Sequence, residues 1–383
     1  MRLEEAAVRS FARHETFHPR YGWFRKAYAV SASDPLAFGR PEAPVVLGVG
    51  KNMVRAIRFW GLAAKIVTEA PNASNRRVPR IVPTVRGRAL FGEHGWDPYM
   101  EDPGTLWLLH WLLLAPPSRL PVWWLAFNSF DAVEFSESDL REAAAAQLQA
   151  AAGWGAPHES SVTKDVSALM RTYAPVEPSR RMSIDDVLDC PMRELKLLER
   201  SAATGLPRFT LGPKPTLPSA IATHAVFDYI DRITGNRGDR DRDRSNSSSR
   251  NRGGRRRSGK RLGGTMLLSR LATEPGTPGR AFKLNESELL SVLEPAAAEH
   301  DEFRLETSNG VWQLAYSVDA AEIATGVLDV HYGTASAGVC SGRAGDEPIS
   351  ERLFDQPRHG PEPRADSPPN TARNPSPALA AVP

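Results

Sequence analysis

The stretch of sequence that decides the fold is residues 106–127, which reads LWLLHWLLLAPPSRLPVWWLAF. It is the most apolar part of the chain, although a histidine, an arginine and three prolines interrupt it. Because a membrane-spanning helix needs about 20 clean apolar residues, we interpret the stretch as the centre of a folded core. The pattern predicts a buried helix followed by a buried strand at Val122–Phe127.

The composition around this stretch is that of an ordinary globular protein. The chain has 383 residues, of which 41% are hydrophobic and 24% charged, and domains of about 100–200 residues would make two or three of them. The two cysteines, Cys190 and Cys340, are too few for a disulfide framework or a Cys-rich zinc site. The N-terminus has no apolar signal core, so we expect a soluble cytoplasmic protein without a membrane partner.

Positive charge is concentrated in two parts of the chain. Residues 1–90 carry 16 Lys and Arg against 6 Asp and Glu, and residues 236–262 carry 11 against 3, although the net charge of the whole chain is only +3. Such separation favours a polyanionic partner at the basic parts. The alternative, a basic surface that is merely solvated, remains open at this point.

The expected fold class is mainly α with small β wings (α+β), built from winged-helix-type units joined by loops. Residues 236–262 repeat Arg-Asp, Ser and Arg-Gly with almost no apolar residue, so this insertion is expected to be disordered. The predicted segments are 1–105, a basic, helix-turn-helix-like DNA-binding region; 106–215, a central, mainly helical domain; 216–334, a winged-helix-like domain with the insertion; and 335–383, a disordered Pro-rich tail.

The winged-helix expectation comes from the order of elements after residue 265. Asn285 and Glu288 form a capping pair for a helix through Leu293, which Pro295 kinks or ends. Two alternating segments flank Ser308-Asn309-Gly310, which is typical of a hairpin turn. Further helices are predicted at 138–152, 162–173, 192–199 and 219–234.

A helix from Lys51 to about Lys65 carries the clearest functional signal. Four cations fall within an arc of about 80° on this helix: Lys51, Arg55, Arg58 and Lys65. Five apolar residues form the opposing face: Val54, Ile57, Trp60, Gly61 and Ala64. We interpret the cationic row as a surface for DNA phosphates, while an ordinary solvated helix face is the alternative.

Other cations extend this surface in the sequence-based prediction. Interleaved Arg, Lys, His and aromatic residues between 13 and 26 suit phosphate contact and base stacking, although Phe17, Trp23 and Phe24 also suit a core. The predicted DNA-binding residues are Arg13, His14, Arg20, Arg25, Lys26, Lys51, Asn52, Arg55, Arg58, Lys65, Arg76, Arg77 and Lys164.

Two motifs bear on catalysis. His14-Glu15-Thr16-Phe17-His18 matches the H-E-x-x-H zinc pattern, but Pro19 disfavours the helical geometry that this pattern requires. Gly48-Val49-Gly50-Lys51 departs from a phosphate-binding loop at two required positions. A zinc hydrolase using His14, Glu15 and His18 is therefore kept only as an alternative function.

A metal-dependent nuclease would need clustered carboxylates to hold magnesium. The candidate catalytic residues are Asp165, Asp185, Asp186 and Asp189. Acidic first turns of helices have the same composition, and the motifs make no cofactor evident.

Several short segments resemble a bacterial family long catalogued as a domain of unknown function, whose best-understood members are the SspB-type proteins of DNA phosphorothioation defence clusters. The resemblance covers about residues 8–332 without 236–262. Its segments are His14-Glu15-Thr16-Phe17, Arg20-Tyr21-Gly22-Trp23, Leu47 to Arg55, Lys164-Asp165-Val166, Arg171-Thr172-Tyr173, Asp189-Cys190-Pro191, Glu274-Pro275-Gly276 and Gly279 to Leu284.

The resemblance implies a DNA-nicking protein that acts with a cysteine desulfurase, an ATPase and a PAPS-reductase-like enzyme to replace a phosphate oxygen with sulfur. We expect a homodimeric DNA-binding nickase for which magnesium is the candidate cofactor. A non-enzymatic DNA-binding adaptor or transcriptional regulator is the first alternative. Cys190 is a candidate sulfur carrier, although a single cysteine before proline is more often structural.

Overall fold

The backbone is mainly α-helical in the computed structural model of the protein, which describes residues 1–70, 79–175, 190–246 and 263–333. The helices are α1 (Leu3–Ala6), α2 (Trp23–Ser33), α3 (Ala43–Leu47), α4 (Lys51–Ala63), α5 (Val85–Phe91), α6 (Pro103–Leu114), α7 (Pro121–Asn128), α8 (Glu137–Ala150), α9 (Glu159–Tyr173), α10 (Ser219–Asn246), α11 (Leu268–Thr273), α12 (Pro278–Phe282), α13 (Glu286–Glu299) and α14 (Ala320–His331). Single 3₁₀ turns lie at Ala37–Gly39 and Pro191–Leu195.

The strands form small antiparallel sheets. They are β1 (Val67–Glu69), β2 (Ile81–Pro83), β3 (Leu198–Arg200), β4 (Pro207–Phe209), β5 (Gly264–Leu267), β6 (Phe303–Ser308) and β7 (Val311–Tyr316). β1 pairs with β2 and β3 with β4, while the third sheet has the order β5-β7-β6. This combination confirms the predicted class, mainly α with small β wings.

Helices α6 and α7 form the centre of the core. All residues of α7 and nearly all of α6 are buried. The predicted strand at Val122–Phe127 is wrong, because α7 spans it. A helix that is buried all round has no apolar period to distinguish it from a buried strand, and Pro121 occupies a position that favours the start of a helix.

One polar residue inside α6 is fully satisfied by hydrogen bonds. His110 is 0% exposed; its Nδ1 lies 2.8 Å from the Tyr173 hydroxyl and its Nε2 lies 2.9 Å from the Ala281 carbonyl oxygen. A buried imidazole without such partners would be costly, so these bonds connect α6 to α9 and α12.

The C-terminal elements have winged-helix order. β5 precedes α11, α12 and α13, the hairpin β6-β7 follows, and β5 pairs with β7. The hairpin turns at Asn309 and Gly310, whose φ angles are 51° and 79°. Both are positive, as a type I′ turn requires, so the predicted turn is confirmed.

Helix α13 begins as predicted and ends later. The Asn285–Glu288 capping box is present, but the helix continues past Pro295 to Glu299. The backbone N–H of Ala296 donates to Ser219 Oγ at 3.0 Å. This outside acceptor satisfies a backbone donor next to the proline, whose ring disturbs the helical ladder.

Other predicted boundaries shift by a few residues. Helix α8 begins at Glu137, after its cap Ser136, although the helix was predicted at 138–152. The helix predicted at 192–199 is a 3₁₀ turn followed by β3. The backbone of residues 236–246, expected to be disordered, continues α10 as helix. A helix nucleated by the buried residues of its first turns extends at little cost per residue. The rest of the insertion and the tail lie outside the described residues.

Met1–Cys340 forms one compact unit. Within its described residues, helices from all three predicted segments share one core, so the boundaries at 105 and 215 remain a prediction. No helix in the described ranges combines the length and the apolar character that crossing a membrane requires.

Candidate functional site

Helix α4 is built as its sequence pattern predicts. A left-handed Gly48 ends α3, and Gly50 precedes the first turn of α4 without a side-chain cap. The predicted apolar face is buried against α2. At Gly61 the helices approach so closely that an added Cβ would lie 2.6 Å from Ala27 Cβ. The opposite face of α4 is therefore left for solvent or a ligand.

Three of the four cations predicted on α4 lie on that open face. Lys51 and Arg55 are exposed and Arg58 is half-buried. Lys65 is not part of the surface, because α4 ends at Ala63 and Lys65 adopts a left-handed φ of 59°. Its Nζ donates to the carbonyl oxygens of Leu112 and Ala115 in the interior. The prediction that Lys65 contacts DNA is therefore wrong.

The segment 12–18 packs between α4 and α9 in a non-helical conformation. Ala12, Glu15 and Thr16 have φ angles of 53°, 52° and 66°, which excludes the continuous helix that the zinc motif needs. The described residues contain no group of three or more His, Cys, Asp or Glu that could hold a metal ion. The described geometry therefore gives no support to the alternative of a zinc hydrolase through His14, Glu15 and His18.

His14 is a core residue. It is 1% exposed, and its Nε2 lies 2.7 Å from Asp165 Oδ1, which also accepts the backbone N–H of Ala12 at 2.8 Å. The rings of Phe59, Trp60 and Trp123 surround the imidazole. His14 cannot reach a DNA strand from this position, so that prediction is also wrong.

Asp165 acts as an anchor between α9 and the segment 12–18. It is 2% exposed and is occupied by the two donors of that segment. The described residues therefore do not fit a magnesium site at Asp165, whose carboxylate is closed to solvent. The other candidate carboxylates, Asp185, Asp186 and Asp189, lie outside the described residues.

The anchored segment brings cations of two helices together. Arg55 of α4 lies 3.7 Å from the Glu15 carboxylate, and Arg171 of α9 donates to the backbone oxygen of the next residue, Thr16, at 2.7 Å. We call the exposed cations along this junction the basic ridge. The basic ridge consists of Arg13, Lys51, Arg55, Lys164 and Arg171.

The cations of the basic ridge share one face on each of the two helices. Lys51 and Arg55 are one turn apart on α4, and Lys164 and Arg171 are two turns apart on α9, so each pair shares a helix face. The Arg55–Glu15 pair is solvent-exposed and stabilises by at most about 1 kcal/mol. It leaves Arg55 able to exchange Glu15 for another anion.

Three further predicted cations have local partners. Arg20 lies over the Trp23 ring at 5.8 Å and Arg25 over the Tyr99 ring at 4.2 Å. The ammonium group of Lys26, which is exposed, donates to the Leu47 carbonyl oxygen at 3.0 Å.

Two aromatic side chains and one amide side chain were also candidates for contact with DNA. Trp23 and Phe24 are buried, so they belong to the core and do not stack on bases. Asn52 is exposed beside Lys51. Arg76 and Arg77 lie outside the described residues.

Cys190 is placed where a sulfur carrier would be ineffective. Its thiol is buried, and its Sγ donates to the Thr172 carbonyl oxygen at 3.3 Å. A thiol that transfers sulfur must be reachable by its partner, so the structural interpretation of Cys190 is favoured.

Comparison with known proteins identifies relatives of the whole described fold. The family model described as "Protein of unknown function (DUF4007)" matches residues 11–240 and 254–332. The chain is similar to a solved structure titled "SspB crystal structure", with 38% identity, a TM-score of 0.74 and coverage of 86% of this chain and 90% of that one. A second, "Magnesium ion-bound SspB crystal structure", has the same identity and TM-score and covers 87% and 90%. No curated protein matches the chain.

Proposed function

The chain belongs to the DUF4007 family, and from this premise we propose that it binds DNA through the basic ridge and nicks it within a bacterial phosphorothioation system. Similarity to two SspB structures over most of both chains supports the assignment to an SspB-type protein. The DNA-binding part of the proposal is carried by one observation. Arg55 and Arg171, from different helices, reach the consecutive residues Glu15 and Thr16.

The chemistry of the basic ridge suits a phosphate backbone. Guanidinium and ammonium groups bind phosphate oxygens by charge and hydrogen bonding without reading base edges. The buried His14–Asp165 pair fixes the backbone of the segment on which Arg13 lies, so this cation is positioned by the core. Glu15 provides an internal anion that a phosphate would replace at Arg55.

The nicking step needs groups beyond the basic ridge. One of the similar solved structures is magnesium ion-bound SspB, and this ion would stabilise charge that develops on phosphate oxygens. The described carboxylates do not form a site for it, and Asp185, Asp186 and Asp189 are outside the described ranges. We therefore assign the basic ridge the task of holding and orienting DNA and derive no chemical step through the metal.

The same proposal includes partners. The protein acts as a homodimer in the cytoplasm, together with a cysteine desulfurase, an ATPase and a PAPS-reductase-like enzyme. DNA nicking would give these sulfur-handling partners access to a strand end. The mass of the purified protein in solution, measured by light scattering, tests the dimer separately.

Plasmid relaxation tests the proposed activity. Purified protein is incubated with supercoiled plasmid in magnesium or in chelator, alongside a Lys51→Ala/Arg55→Ala variant and an Arg304→Ala control. Arg304 is an exposed cation of the β6-β7 hairpin. We expect magnesium-dependent open-circle product from wild type and the control, and little product from the double variant. Plasmid binding without cleavage in magnesium would instead support the adaptor function.

A further inference from the structure

Three cations lie around a single carboxylate, Asp228, at the opposite end of α4 from Lys51: Lys65 after α4, Arg86 in α5 and Arg232 in α10. A fourth, Arg119, lies between α6 and α7, three residues after Pro116, whose carbonyl oxygen accepts from Arg232. Helix α4 rises by about 18 Å from Lys51 to Ala63. The cluster is therefore separate from the end of α4 that carries Lys51.

Asp228 is fully occupied by neighbours. Arg232 donates to both of its oxygens, from Nε at 2.9 Å and Nη2 at 3.0 Å, and Trp111 Nε1 donates to Oδ2 at 2.8 Å. Arg86 Nη2 lies 3.5 Å from Oδ1. One carboxylate has about four acceptor sites, so Asp228 cannot compensate a further cation.

Part of the cluster has a structural task. The ammonium group of Lys65 donates to the carbonyl oxygens of Leu112 and Ala115, and Arg232 donates to that of Pro116. These carbonyls lie at the C-terminal end of α6, where cations are favourable. Lys65 and Arg232 are sufficient for this task, which therefore gives no role to Arg86 and Arg119.

The two additional arginines add positive charge near the buried ammonium group of Lys65. Burial lowers the pKa of Lys65 well below its usual value, and the charges of Arg232, Arg86 and Arg119 lower it further, against Asp228. Burial also lowers the pKa of Arg86, which Arg232 enhances. Among the described residues, no carboxylate other than Asp228 forms an ion pair with these cations. Guanidinium groups clustered in this way suit the oxygen atoms of an anion.

We propose that Arg86, Arg119 and Arg232 form a second anion site, which binds a phosphate group. Arg86 and Arg232 are held by Asp228 but keep side chains that are 26% and 23% exposed, and Arg119 is half-buried. Guanidinium groups fixed in this way present several N–H donors with little entropy left to lose. The phosphate belongs either to the DNA backbone or to a free phosphate ester.

Inorganic phosphate and a short DNA duplex test the site. The variants are Arg119→Gln, which removes the cation without a carboxylate partner among the described residues, and Arg86→Gln, after which Arg232 and Trp111 still bind Asp228. Arg88→Gln is the matched control, because Arg88 is exposed on the same helix α5. The Tm of each protein is measured in phosphate and in chloride of equal ionic strength, and DNA affinity is measured by anisotropy.

The proposal predicts that saturating phosphate raises the Tm of wild type and of Arg88→Gln by about 3 °C, and that of the other two variants by less than half as much. A parallel loss of DNA affinity of about tenfold assigns the phosphate to DNA; unchanged DNA affinity assigns it to a free ester. An equal Tm response in all four proteins, or none in wild type, overturns the site. If wild type fails to bind DNA but responds to phosphate, only the proposed function fails.

Discussion

Replacing Asp165 with alanine removes the carboxylate that joins α9 to the segment 12–18. In the folded protein this carboxylate accepts the backbone N–H of Ala12 and lies 2.7 Å from Nε2 of His14, both in the interior. The variant leaves two buried groups without their partner. Because each buried unsatisfied donor costs about 1–3 kcal/mol, we expect the free energy of unfolding to fall by about 3 kcal/mol.

The same substitution separates a structural role from a catalytic one. Urea unfolding measures the free energy, and plasmid relaxation measures the activity of the folded fraction. Thr163→Ala is the matched control, since Thr163 is exposed on α9 outside the basic ridge and its loss should change stability by no more than about 0.5 kcal/mol. If Asp165→Ala unfolds at the same urea concentration as wild type while nicking disappears, Asp165 is a catalytic ligand and our assignment of it as an anchor is refuted.

Three further predictions concern the core. Burial lowers the pKa of His110 from the usual 6.5 to about 4, so between these pH values the unfolded chain binds more protons than the folded protein. The free energy of unfolding, measured with urea, should therefore fall by up to about 3 kcal/mol as the pH is lowered from 6.5 to 4. The His110→Gln variant should show a flatter pH profile. Gly61→Ala should cost about 1–3 kcal/mol through the clash with Ala27, whereas Gly326→Ala, which meets nothing within 4 Å, should raise the Tm. Cys190→Ala should retain phosphorothioation activity in cells; its complete loss from a folded variant would revive the sulfur-carrier hypothesis.

Three elements of the fold could be predicted from short sequence patterns. The apolar period of α4, the Asn285–Glu288 capping box and the Asn309-Gly310 turn each depend on a few neighbouring residues, and each is present in the structure. Helix α7 could not be predicted in this way, because a helix that is buried on all sides has no apolar periodicity.

The arrangement of the candidate site depends on contacts between residues that lie far apart in the sequence. His14 belongs to a sequence pattern that is typical of zinc sites, but its environment is set by Asp165, which is 151 residues away in the sequence. Lys65 fits the cationic arc of α4 only if the helix continues, and its left-handed φ redirects it inward. Arg171 is an isolated cation in the sequence, and only packing brings it beside Thr16.

The basic ridge is an electrostatic claim, so the salt dependence of DNA affinity tests it most directly. The Kd for a short duplex is measured between about 50 and 200 mM salt for wild type, for Lys51→Ala/Arg55→Ala and for Arg304→Ala. We predict that the double variant binds more weakly and that the slope of log K against log salt falls by about two units, while Arg304→Ala behaves as wild type. Unchanged affinity and slope in a folded double variant would contradict the basic ridge as the DNA-binding surface.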